Sequence, residues 1–120
     1  MKLILDTNFL VYSVKYKIFQ QLEESNMQLI IPLQVLNEIE KLSKRAKKIK
    51  DRDAAKISLQ LIKKLVKVET IEAKNADDAA LNLALKENAA LATLDNGLLK
   101  KAAKKGVKTV GIRQKSYINL

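Results

Sequence analysis

The sequence predicts an α/β fold in which a parallel sheet is covered by helices on both faces, and three observations carry that expectation. Short apolar runs alternate with amphipathic stretches along all 120 residues. Two of those runs, Lys2 to Leu5 and Ala89 to Leu94, are followed at once by an aspartate. No linker, internal repeat or low-complexity tract interrupts the series, so residues 1–120 are expected to form a single domain.

The elements follow in order. Lys2 to Leu5 reads as a buried strand, and Asp6-Thr7-Asn8 suits the cap of a helix from Phe9 to Glu24. Ser25-Asn26 breaks that helix, Leu29 to Ile31 forms a second strand, and Pro32 suits the start of the next helix. There Val35, Ile39, Leu42, Ala46 and Ile49 recur at three- and four-residue spacing, one apolar stripe on a long helix whose other face is basic. Asp51 and Asp53 open a further helix along which Ile57, Leu61 and Leu65 align. Val66 to Ile71 alternates as a strand, Asn75 to Asn88 is helical, and Ala89 to Leu94 is an apolar strand. A short helix from Gly97 to Lys105 stops at Gly106, before a final strand from Val107 to Ile112.

Composition excludes several chemistries. Cys is absent, so there is no disulfide framework, thiolate zinc site or cysteine nucleophile, and a reducing, cytoplasmic setting is expected. His is absent too, which removes the usual general base near neutral pH and leaves carboxylates, Lys, hydroxyls or a metal-bound water. Asp6 and Asn8 interrupt the N-terminal apolar run long before the roughly 18 residues a membrane span needs, so neither anchor nor signal peptide is expected. The charge of +10, from 23 basic and 13 acidic residues, favours a polyanionic partner. Lys44, Arg45, Lys47 and Lys48 crowd one segment, with Lys41, Lys50 and Arg52 beside them, and Lys100, Lys101, Lys104 and Lys105 form a second group. Aromatic residues make up only 4% of the chain, so contact with the phosphate backbone is expected rather than stacking on an aromatic platform.

Open α/β sheets bind ligands beyond the carboxyl ends of their strands, which directs attention to acids following strands. Asp6 and Asp95 both qualify, although each also has a capping explanation. Glu38 falls beside the apolar stripe of its helix at about 100° per residue, whereas Glu40 points away. Asp77 aligns with Leu81 and Ala84 on the apolar face, while Asp78, three residues after Asn75, is better placed as a cap. Oxygen-only ligands without His or Cys suit Mg2+ or Mn2+ rather than zinc, and phosphodiester hydrolysis is the natural use of such a set.

The stretches LILDTNFLV, LQVLNEIEKL, NADDAALNLALKENAALATLDNGLLKKA and GVKTVGI resemble, in this order, the successive blocks of a PIN domain. The resemblance covers nearly the whole chain and implies a Rossmann-like α/β/α sandwich with an acidic, Mg2+- or Mn2+-dependent ribonuclease site for single-stranded RNA. It assigns catalysis and metal binding to Asp6, Glu38, Asp77 and Asp95, with Asp78 as the alternative to Asp77. It gives Asn8 a supporting place beside Asp6. Two branches look similar: VapC-type toxins silenced by an antitoxin, and PIN endonucleases that process ribosomal RNA. A homodimer is expected by the same resemblance. The competing readings are a non-catalytic RNA-binding module and a protein-partner module of a toxin–antitoxin pair, with the acids serving as caps.

Overall fold

The computed structural model describes residues 1–113 and 117–119. Among them, six strands form one sheet: β1 (Lys2–Leu5), β2 (Gln28–Pro32), β3 (Val66–Glu69), β4 (Ala90–Ala92), β5 (Thr109–Arg113) and β6 (Tyr117–Asn119). Their spatial order is β3-β2-β1-β4-β5-β6. The first five run parallel, and β6 returns antiparallel to β5. The parallel sheet is thus extended by an antiparallel edge strand that the periodicity of the sequence does not announce. The helices are α1 (Thr7–Lys15), α2 (Phe19–Glu24), α3 (Leu33–Arg45), α4 (Ile49–Leu65), α5 (Ala76–Glu87) and α6 (Asn96–Lys104).

Alternation along the strands splits the core into two layers. Leu3, Leu5, Leu29 and Ile31 face Phe9, Leu10, Leu22, Val35, Ile39 and Ile62 from α1 to α4. Ile4, Ile30 and Leu91 face the other way, against Leu83 and Ala84 of α5 and Leu98 and Ala102 of α6. β1 is therefore buried on both sides, as its uninterrupted apolar run requires. The chain leaves β1 towards β2 on one side and later returns to pair β4 on its other side, so the order reverses between β1 and β4. At this switch point the carboxyl ends of two adjacent strands open a crevice.

Three helices close in the same way. A left-handed residue is followed by an N–H that reaches back five positions: Ile18 N to Ser13 O (2.8 Å), Ala89 N to Ala84 O (2.9 Å) and Val107 N to Ala102 O (2.9 Å). Asn88 (φ 51°) and Gly106 (φ 73°) suit that conformation. Lys17 (φ 61°) does not advertise it, and here the expected Phe9 to Glu24 helix divides into α1 and α2.

The long basic helix also breaks. Ala46 is extended (φ −60°, ψ 136°), α3 ends at Arg45, and Ile49, expected on its buried stripe, is 66% exposed at the start of α4. On α4 the buried face is Ala54, Ala55, Ser58 and Ile62, whereas Ile57 and Leu65 are exposed. Small residues let α4 approach its neighbours α3 and α1 closely, and the Ser58 hydroxyl donates to Ala54 O at 2.7 Å. Close approach therefore selects side-chain size ahead of the Ile57-Leu61-Leu65 spacing. Ile62→Ala is expected to cost about 2–4 kcal/mol in chemical denaturation, and Ile57→Ala about 0.5 kcal/mol or less. Equal losses would place the buried face elsewhere.

Candidate active site

Asp6 leaves β1 directly, its N–H donating to Ala92 O at 3.1 Å, and its side chain caps α1 by accepting from Phe9 N at 2.8 Å through Oδ1. The second oxygen, Oδ2, accepts the hydroxyl of Thr93, the residue just beyond β4. That hydroxyl in turn accepts from Asp95 N at 3.1 Å, and Asp95 Oδ1 caps α6 by accepting from Leu98 N at 3.1 Å. One continuous set of hydrogen bonds thus joins two strand ends to two helix starts. Asp6 is 4% exposed and Thr93 1%, whereas Asp95 stands open to solvent. A Cβ on Gly97 would lie 3.1 Å from Asp95 Oδ1, so glycine keeps room beside that carboxylate.

Burial is the main force on Asp6 and raises its carboxyl from the ordinary 3.8 to about 6. The bonds from Thr93 and Phe9 oppose that rise, and the charges of Asp77 and Asp95 add to it. Asp77, at the start of α5, is raised by desolvation first and then by Asp95 and Asp78, with Lys101 pulling the other way. Asp6, Asp77 and Asp95 therefore lie within one another's fields. Asp78 adds to the rise at Asp77, and its N–H donates to Asn75 Oδ1 at 2.9 Å, so the α5 cap belongs to Asn75 and not to Asp78. Glu38 is exposed on α3, away from the buried side of its helix, and its charge is not among those that raise Asp6 or Asp77.

Asn8 is exposed and lines a cavity of about 310 Å³ with Leu94 and with Ala46 from the break between α3 and α4. Lys44, Arg45, Lys47 and Lys48 are exposed around that same break, which gathers them at a corner bordering the cavity.

Among the described residues, no three acidic side chains converge as a ready-made cage for a cation. The donor chemistry nonetheless fits a hard divalent ion: carboxylates, mutually repelling and partly desolvated, in a chain without Cys or His. The Thr7 hydroxyl, buried next to Asp6, has no hydrogen-bond partner among the described residues, leaving a further oxygen unclaimed. Thr93 is the residue that reading the sequence missed. The Thr-x-Asp spacing drew attention to Asp95, but nothing local announces that Thr93 reaches an aspartate 87 positions earlier.

The profile of a PIN-like domain matches residues 3–115, and the chain belongs to that family. It is 31% identical to Ribonuclease VapC4 of Methanocaldococcus jannaschii over 126 aligned positions, covering 99% of this chain and 95% of the relative. Two solved structures share its fold. A PilT N-terminus domain protein of Sulfolobus solfataricus superposes with a TM-score of 0.63 at 18% identity, over 92% of this chain and 87% of that one. VapBC2 of Rickettsia felis, bound to a DNA fragment from its promoter, gives 0.66 at 19% identity, over 92% and 98%.

The raised carboxyl has a consequence for stability. Because the folded pKa of Asp6 exceeds its unfolded value, the proton on Asp6 favours the fold. That contribution is complete below about pH 3.8 and is lost as pH rises through about 6. At neutral pH the ion-free protein carries a cost of roughly 3 kcal/mol. Asp6→Asn is expected to melt higher than the wild type at pH 7.5 in EDTA and to lose that advantage near pH 4. Coincident melting curves at both values would contradict the assigned burial.

Proposed function

We propose that the chain is a Mg2+- or Mn2+-dependent endoribonuclease that hydrolyses phosphodiester bonds of single-stranded RNA, with residues 1–120 as a single PIN domain. The observation that carries this reading is the buried Asp6, held at the switch point by Thr93 and flanked by the charges of Asp77 and Asp95. Asp6, Asp77 and Asp95 would hold the ion, with Glu38 as the outermost of the four ligands and Asp78 as the substitute for Asp77. Bound there, the ion supplies an activated water and offsets charge on the phosphate, which a chain without His otherwise lacks. Thr93 fixes the rotamer of Asp6, and Asn8 lines the approach. Lys44, Arg45, Lys47 and Lys48 neutralise successive phosphates and bring the strand across the acidic crevice.

The similarity to a VapC ribonuclease and to a VapBC structure favours the toxin branch over ribosomal RNA processing. An antitoxin protein is then the expected regulatory partner, with homodimers acting in the cytoplasm. Among the described residues no helix is long and apolar enough to cross a membrane. A second reading, a non-catalytic RNA-binding or toxin–antitoxin partner module, draws on the open spacing of the carboxylates.

End-labelled single-stranded RNA incubated with Mg2+, Mn2+ or EDTA separates the two. Metal-dependent cutting by the wild type, abolished in Asp6→Asn and Asp95→Asn, is the expected result. RNA retained in EDTA but never cut with either ion would establish the second reading. Thr93→Val should lower metal affinity by about 10- to 100-fold, because it frees the carboxylate it orients. Replacing Lys44, Arg45, Lys47 and Lys48 by Ala should flatten the salt dependence of RNA binding by about 0.7 in log–log slope for each phosphate no longer neutralised. An unchanged slope would move the RNA path to another surface.

A further inference from the structure

The cavity beside Asn8 and Leu94 has properties that a phosphate-binding surface does not need. Its floor is apolar, formed by Val11, Leu42 and Ala46, and one wall carries Tyr12 and Tyr16. The two rings lie 4.4 Å apart between centroids at 39°, and Tyr16 is 51% exposed, an aromatic surface maintained in a chain that has few. Lys15 Nζ sits 5.5 Å from the Tyr16 ring centroid and donates to Asp51 Oδ1 at 2.7 Å, so an ion pair beside that ring also lines the cavity. Asn8 and Leu94 place the mouth within two residues of Asp6 and one of Asp95.

We propose that this cavity seats one nucleobase of the RNA next to the phosphodiester to be cut, guanine in preference to uracil. The inference rests on the ribonuclease reading for the identity of the strand, and on the cavity for the base. An apolar floor with an exposed ring matches the face of a base, which stacks on aromatic side chains when RNA is single-stranded. The size of the cavity lies at the small end of ligand sites, which suits one base and not a longer segment. The basic corner at Lys44 to Lys48 borders the cavity and supplies the charge that a flanking phosphate needs.

The preference among bases comes from Asp51. Its Oδ1 is engaged by Lys15, which holds the carboxylate in its acceptor-only form, and among the described residues Oδ2 remains to accept. Guanine offers adjacent N1–H and N2–H donors on its Watson–Crick edge. Uracil offers one N–H between two carbonyl oxygens, and the carboxylate repels both. Asn8, with donor and acceptor on one amide, can serve either base and does not discriminate.

The test uses the whole chain and short single-stranded RNAs of uridine in which one position is replaced by guanosine. Cutting is followed with Mg2+ and Mn2+, and binding to the Asp6→Asn protein in EDTA by fluorescence anisotropy. Guanosine should tighten binding by about 5-fold or more and fix the cleavage position relative to itself, with the gain residing in KM. Asp51→Asn should erase the preference for guanosine at unchanged melting temperature, and Tyr16→Ala should weaken binding to every sequence by about 5- to 100-fold. Metal-dependent cutting with no dependence on the base, or variants indistinguishable from the wild type, would overturn the subsite while leaving the nuclease standing. Guanosine-dependent binding without cutting under any ion would do the reverse, and absence of both would remove the two together.

Discussion

The hydroxyl of Thr93 donates to Asp6 Oδ2 and accepts from Asp95 N, and through that one group the ends of the two central strands are held in register with the starts of α1 and α6. A carboxylate buried beyond the reach of bulk water is costly, and it persists only where donors are aimed at it. Here each oxygen receives one, from Phe9 N and from Thr93 Oγ1. The donors do not cancel the cost of burial, as the carboxyl pushed up to about 6 records. The residual strain lies at the switch point of the sheet, the place where an α/β fold most readily accepts a ligand. A cation held there would relieve that strain by electrostatics alone.

Much of this was legible in the chain itself because it depends on local signals. A strand that ends in aspartate announces both its own boundary and its exit towards the rim, as at Asp6, whereas β4 stops at Ala92 and not at the expected Leu94 before Asp95. Asn75, Asn88 and Gly106 mark helix ends by conformational preferences that act over a few residues. What was hidden depends on packing between distant segments. Lys17 takes a left-handed conformation because Ile18 must reach back to Ser13, and lysine carries no sign of it. The true face of α4, with Ala54 and Ser58 inside and Ile57 outside, follows from how near α3 and α1 come. β6 is a three-residue edge strand whose Ile118 N donates to Gln21 Oε1 at 2.8 Å, a partner 97 positions away. Glu38, read from the helical wheel as a flank position beside the apolar stripe, is exposed on α3.

The distribution of charge also follows from the fold. The break at Ala46 turns what would be one long basic helix into two helices meeting at a corner, which concentrates lysines and an arginine that a straight helix would have spread around its axis. The same corner contributes Ala46 to the cavity lined by Asn8 and Leu94, which lie close to Asp6 and Asp95 in the chain. A chain of net charge +10 with Asp6, Asp77 and Asp95 at one rim attracts a polyanion from a distance, and those acids would repel it at close range unless a cation intervened. The acids therefore contribute nothing to simple retention of RNA, and the burial of Asp6 among them carries a cost that a bound cation would offset.

Capping and metal binding are often weighed against each other for an aspartate at a helix start, and in this fold the cap at Asp6 and Asp95 is compatible with the proposed role. Asp6 and Asp95 each give one oxygen to a backbone N–H two or three residues into a helix, and that bond fixes the rotamer and so the direction of the second oxygen. The amino end of the helix further favours the ionised form, opposing burial where ionisation is needed for binding a cation. An aspartate released from its cap would be better hydrated and less constrained, and would lose the fixed geometry that sets it against its neighbours. The preference of strand-to-helix turns for aspartate thus supplies oriented carboxylates at the rim of the sheet before any selection for chemistry acts. Thr93 and Gly97 are what this chain adds to that starting point, one by clamping the buried acid and the other by keeping the exposed acid uncrowded.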